Sequence, residues 1–194
     1  MRRLGAVLLA IVITAIPCFA QVGVDFNFPP PAEEGAADYF IVSEDGQARA
    51  AIVFPAEYQS EEIRAARSLQ QYIELVTGAK LAVVADDAEA PEGLAQIHIG
   101  DTAVASQVDL ALPDVRYGDH ALPNINGYLV QTLDPQTLVI RGRTPQATML
   151  GVVGFLRQYA GVRRYWPGDP GGIGDVIPDR PTLTVPQVTW RDWP

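Results

Sequence analysis

Apolar positions change period along the chain, and each change marks an element. YFIVS (39–43) and AAIVF (50–54) are β-rich runs on either side of Asp45-Gly46, which predicts a hairpin. From Ser60 the period lengthens. Ile63, Ala66, Leu69 or Gln70, Ile73 and Val76 recur at the spacing of one helix face. Ser60 is the expected N-cap, Glu61 and Glu62 suit the positive helix end, and Gly78 is the expected stop. KLAVV (80–84) and QIHIG (96–100) read as strands around a polar loop, 86–93. Residues 101–126 read as irregular. GYLVQTL (127–133) and TLVIRG (137–142) alternate well, and Asp134-Pro135 joins them as a second hairpin.

Thr144-Pro145 opens a second helix, with Thr as N-cap and Pro in the first turn, and Gly161 closes it. Gly151 and Gly154 lie inside this helix, where each costs about 1 kcal/mol relative to Ala. Their presence predicts a close approach of the helix to a sheet. RRYW (163–166), a Gly-rich loop and the edge strands VIP (176–178) and TLTV (182–185) follow. The order of elements predicts an α/β (α+β) fold: a single mixed, largely antiparallel sheet with two helices packed on one face.

The first residues follow another logic. Arg2 and Arg3, the apolar run LGAVLLAIVITAI and Cys18-Phe19-Ala20 have the pattern of a signal peptide cut after Ala20. A lipid on Cys18 or an uncleaved anchor is the alternative, and Pro17 disfavours the lipid. The apolar run is too short for a comfortable membrane span, so no stable span is expected after cleavage. The expected organisation is signal peptide 1–20, Pro-rich linker 21–37, folded domain 38–187 and a junction at 188–194. The expected location is secreted or periplasmic.

Cleavage removes the only cysteine, leaving no thiol for a disulfide, a nucleophile or a metal site. The formal charge of −9 argues against nucleic acid as a partner.

Candidate chemistry is sparse. His98 stands between Ile97 and Ile99, so on a strand it points away from its apolar neighbours and is expected to be partly exposed. No second His or Cys stands at ligand spacing from it, so neither a metal site nor a cofactor is expected. Asp114, Asp119 and His120 share a loop and could hold a cation, with solvated side chains the ordinary reading. GDPGGIGD (168–175) lacks the Lys-Ser/Thr of a phosphate loop and reads as a turn. Ser43, Ser60, Ser68 and Ser106 lie outside any nucleophile-elbow pattern, and the acids sit in loops or at a helix start. No catalytic residue is expected. GVRRYWPG (161–168) gathers Arg163, Arg164, Tyr165 and Trp166 beside a turn. Such a cluster suits sugar rings or a neighbouring domain, since Arg donates forked hydrogen bonds and aromatics stack. Packing of Tyr165 and Trp166 against the second helix is the competing reading.

Taken together, EEIRAARSLQQYIELVTGAKLAVV, QIHIG, GYLVQTL, TLVIRG, TPQATMLGVVGFLRQYAGVRRYWPG and VIPDRPTLTVPQVTWRD resemble, in order and spacing, the N-terminal accessory domain of α-glucuronidase-type and β-hexosaminidase-type glycoside hydrolases. The resemblance covers most of residues 38–192. It implies a non-catalytic layer of sheet and helices that precedes a (β/α)₈ catalytic barrel. It also implies that Arg191 in the junction hydrogen-bonds sugar hydroxyls, although Asp192 stands where the family usually has Gly. Arg164 departs likewise from a position where an aromatic is common. The substrate-binding candidates are therefore Arg191, Arg164 and Trp166, and the expected partners are carbohydrate or a catalytic barrel. A free-standing exported carbohydrate- or partner-binding module is the alternative reading.

Overall fold

A computed structural model of the chain describes residues 39–117, 119–165 and 169–193. The expected leader, the linker and Trp166 lie outside these residues. The strands are β1 (Tyr39–Glu44), β2 (Gln47–Ala48), β3 (Ala50–Phe54), β4 (Val83–Ala85), β5 (Ala95–Ile99), β6 (Val115–Tyr117), β7 (His120–Leu122), β8 (Tyr128–Asp134), β9 (Thr137–Gly142), β10 (Arg163–Arg164), β11 (Asp175–Val176), β12 (Leu183–Pro186) and β13 (Thr189–Asp192). Helix α1 spans Ser60–Thr77 and α2 spans Pro145–Phe155, the latter extended by a π-helical turn over Leu156–Ala160.

The main sheet has the order β13-β8-β9-β5-β3-β4. The β8–β9 hairpin and the β13–β8 pair are antiparallel, while β9–β5, β5–β3 and β3–β4 are parallel. The fold is thus the expected α+β type with a mixed sheet, and antiparallel pairing prevails over the described strands as a whole. Three features of the strands differ from expectation. Val115–Tyr117 and His120–Leu122, in a stretch read as irregular, pair as the hairpin β6–β7. The main sheet is accompanied by a three-stranded one, β12-β1-β2. And Asp45-Gly46 turns β1 back onto the short β2, after which β3 crosses into the main sheet, so 39–43 and 50–54 do not pair with each other. The crossover through α1 brings β4 back parallel to β3, and the loop 86–94 carries the chain across to β5, parallel on the other side of β3.

Both helices pack on one face of the main sheet. Ala66, Leu69, Ile73 and Val76 of α1 and Val152, Phe155 and Leu156 of the second helix close on Ile52, Ile97, Ile140 and Val130. The N-cap of α1 is Gln59 rather than Ser60, because Glu62 turns back and its Oε2 accepts from the Gln59 amide (2.9 Å). Thr144 caps α2 as expected, accepting from the Ala147 amide at 3.1 Å. Gly151 and Gly154 do permit the close approach. A Cβ on Gly154 would lie 2.5 Å from the Tyr128 hydroxyl and 3.0 Å from the Trp190 ring.

The opposite face of the sheet is also covered, by the crossing segment 101–112, with Ala105 and Leu112 buried. This overturns the expected exposure of His98. The alternation is as read, but His98 is buried, with Nδ1 3.1 Å from the Thr102 hydroxyl oxygen. Burial holds its pKa below the ordinary value, opposed by the Asp86 carboxylate.

Tyr159 has a buried hydroxyl with no hydrogen-bond partner among the described residues, and its ring packs on Phe155 at 5.4 Å. Burial pushes its pKa up to about 12. Replacing it with Phe keeps the ring and removes the orphaned hydroxyl. We expect Tyr159→Phe to raise the unfolding free energy by about 1 kcal/mol in urea denaturation. A loss of that size would reveal a partner for the hydroxyl.

Candidate functional site

Arg164 and Arg191 lie on two surfaces, one on each side of the main sheet. The first is a cleft of about 620 Å³ between the two helices. Arg64, Arg67, Ser68 and Gln71 recur along α1 at offsets of three, four and seven, so they form one stripe. Met149, Val153, Leu156 and Arg157 form the facing stripe on the second helix. Arg164 and Pro170 close one end.

That end is built around Asp175. Its side chain is almost fully buried, with Arg164 Nε 3.8 Å from its Oδ1. The Tyr72 hydroxyl donates to Oδ2 at 2.8 Å and the Gly171 amide donates to the same atom at 3.1 Å. Burial, with the Asp175 hydrogen bond second, pushes the Tyr72 pKa up to about 12, so Tyr72 remains a donor. The Gly-rich loop, read from the sequence as a turn, is thereby tied to α1. Tyr165 is 72% exposed, which sets aside its packing against the helix.

The second surface lies beside β13. Trp190 points to the helix side, where its ring meets Tyr128 edge-on at 5.5 Å and 88°. Alternation then sends Arg191 to the other side. Its Nε donates to the Leu110 carbonyl at 2.7 Å, and its Nη2 reaches the Asp109 carbonyl at 3.4 Å. Arg191 therefore clamps the crossing segment to the sheet. Beside it opens a shallow cleft of about 750 Å³, with Val104, Val108 and Leu133 on its walls. Val104 and Leu133 are exposed large apolar side chains. Residues 189–192, expected as a junction, form the edge strand of the main sheet.

Arg164 and Arg191 are thus not brought together. Trp166 lies outside the described residues.

Sequence reasoning passes over the polar groups at the C-terminal ends of the parallel strands, a usual place for sites in open sheets. Here Glu62 is buried, and its Oε1 accepts from the Asp101 amide at 3.3 Å. Asp86 accepts from the amides of Ala56 and Ala103 at 2.9 and 2.8 Å. Arg141 Nε donates to Asp101 at 2.5 Å. These bonds stitch loops to strand ends. The one signal for them in the sequence, a Glu at the start of α1, has the ordinary reading of surface charge. No group of three or more His, Cys, Asp or Glu among the described residues is placed to hold a metal ion, and none of the described helices is long and apolar enough to cross a membrane.

No protein-family model and no curated protein matches the chain. Among solved structures, it is similar to part of a GH20 β-N-acetylhexosaminidase from Streptomyces coelicolor A3(2), at 18% identity and TM-score 0.40, over 81% of this chain and 25% of that one. It is similar to part of a GH20 exo-β-N-acetylglucosaminidase from Vibrio harveyi, at 14% identity and TM-score 0.42, over 86% and 19%. A GH115 4-O-methyl-α-glucuronidase with specificity for decorated arabinogalactans matches at 13% identity and TM-score 0.40, over 61% and 14%. Both branches of the resemblance seen in the sequence are therefore represented, and the chain spans a quarter or less of each of these proteins. At these identities and TM-scores the likeness fixes no activity.

Proposed function

We propose that this chain is a non-catalytic accessory domain of an exported glycoside hydrolase, and that the face beside β13 packs against the catalytic barrel. The observation that carries this reading is the apolar cleft of Val104, Val108 and Leu133 beside an edge strand. An edge strand presents unpaired backbone groups, and exposed apolar side chains grouped around it suit a docked domain. The order of motifs along the sequence supports the same reading, and the leader pattern around Arg2, Arg3 and Ala20 supports export. On this reading Arg191 holds the crossing segment in shape at the docking face. Its role toward sugar hydroxyls depends on how the barrel completes the surface.

The test begins with the native polypeptide. Mass spectrometry is expected to find peptides beyond Pro194 that belong to a barrel, and the barrel-bearing protein is expected to hydrolyse a glycoside that this chain alone leaves intact. A mature native species ending at Pro194 would overturn the reading. Leu133→Asp sharpens it. In the chain alone this exposed change is expected to alter stability by no more than about 0.5 kcal/mol. In the barrel-bearing protein it is expected to make the two domains unfold in separate steps. Equal behaviour in both settings would place the barrel elsewhere.

A further inference from the structure

Four of the chain's 14 basic residues line one groove, although the chain is acidic overall. Arg64 and Arg67 are exposed on α1, and three residues of helix rise set them about 4.5 Å apart along the axis. Among the described residues neither has an ion-pair partner. Arg157 and Arg164 line the same space from the other wall and the end.

Acids near the groove limit where an anion sits. Arg164 is paired with Asp175, and Glu74 and Asp169 line a recess beyond Pro170. Glu61 stands one turn before Arg64, its carboxyl held below the usual range by the Ser60 hydroxyl first. The open positive charge is therefore at Arg64 and Arg67, toward the end of the groove away from Pro170. Ser68 and Gln71 add neutral hydrogen-bonding groups there, and Val153, 48% exposed, adds an apolar wall with Met149.

We propose that the groove between α1 and α2 binds a carboxylate-bearing oligosaccharide through Arg64 and Arg67. The lining matches the parts of such a ligand. A planar guanidinium forks onto a carboxylate. Ser68 and Gln71 suit ring hydroxyls, and Met149 and Val153 suit the apolar edge of a pyranose. An acidic peptide would meet the same arginines, but both walls are helices whose backbone bonds are internal, so the groove offers an extended main chain no edge to pair with. A small inorganic anion would leave the apolar wall unused. The choice of a sugar among anions rests on the reading of the chain as a carbohydrate-active module. The cationic groove itself does not.

The test is calorimetric titration of the full chain with a galacturonic acid trimer, its methyl ester and triglutamate. The trimer is expected to bind at least about tenfold more tightly than either control, a difference of about 1.4 kcal/mol. Binding is expected to weaken as salt is raised. The exposed pair Arg64→Gln and Arg67→Gln together is expected to weaken it at least tenfold, with the circular dichroism spectrum and Tm unchanged. Triglutamate binding as tightly as the trimer would overturn the sugar assignment and leave a charge-reading groove. Equal binding of the methyl ester, no saturable binding of the trimer, or undiminished binding by the double variant would overturn the site. A native species ending at Pro194 would overturn the accessory-domain reading and leave this titration untouched.

Discussion

Gly142→Ala is expected to destabilise the chain by at least about 3 kcal/mol, a large share of the stability of an ordinary domain. Gly142 ends β9 where the chain turns into α2. A Cβ there would collide with the Thr148 amide nitrogen and the Ala147 carbonyl carbon, and would lie 2.6 Å from the Ala147 Cβ. The first two are backbone atoms in the first turn of a helix and the third is a methyl with no rotamer, so no side-chain change relieves the overlap. The Gly142 amide also donates to the Thr148 hydroxyl at 3.0 Å, which a displaced helix would break. Overpacking of this kind ordinarily costs about 1–3 kcal/mol, and a collision with backbone belongs at or above that end. Gly78 is the control. It has φ +76° and, its chain neighbours apart, no atom within 4 Å of where a Cβ would stand, so Gly78→Ala costs only the left-handed backbone, about 1–2 kcal/mol. Urea denaturation of both variants decides the matter. Equal losses would mean that α2 does not abut the strand as described. The point bears on function, because the position of α2 sets one wall of the arginine groove.

What the sequence made legible was local. The β8–β9 hairpin and the Thr144 cap depend on residues within a few positions of one another, and the Gly151–Gly154 pair marks within its own helix where a neighbour comes close; each lies where its pattern put it. The unread features depend on distant chain. Parallel pairing of β3 with β5 and of β5 with β9 leaves no short-range signature, and neither does the pairing of Phe40 with Val185. His98 escapes the sequence for one reason: alternation says which way a side chain points, but not that residues 101–112 will cover that side. The groove is hidden in the same way. On α1 alone, Arg64 and Arg67 are a solvated stripe. They become the wall of a cavity only when the second helix lies alongside. Arg164 and Arg191 both stand out in the sequence, but separating them into two surfaces needs the strand direction at Trp190 and the loop anchored by Asp175, neither of which is written in spacing.

Trp190→Ala is expected to cost about 3–5 kcal/mol, as truncation of a buried aromatic does. Trp190 is 4% exposed and fills the space that Gly154 leaves between β13 and α2. Its partner Tyr128 donates to Asp192 Oδ2 at 2.9 Å, so β8 and β13 are joined beside the ring by a side-chain bond as well as by their ladder. Burial, reinforced by the Asp192 carboxylate, raises the Tyr128 pKa, which keeps this donor protonated. Loss of the indole should therefore release β13 as a unit, and with it the hold of Arg191 on the Leu110 carbonyl. Hydrogen exchange can separate the two levels. Trp190→Ala is expected to expose amides in β13 and in residues 109–112 together. Arg191→Ala is expected to loosen residues 109–112 while β13 stays protected through its ladder with β8. If Trp190→Ala cost about 1 kcal/mol or less and left β13 protected, the strand would be held by its backbone alone. The docking face would then not depend on the core beneath it. The larger loss would tie the outer face, where the barrel is proposed to pack, to the inner one that shapes the arginine groove.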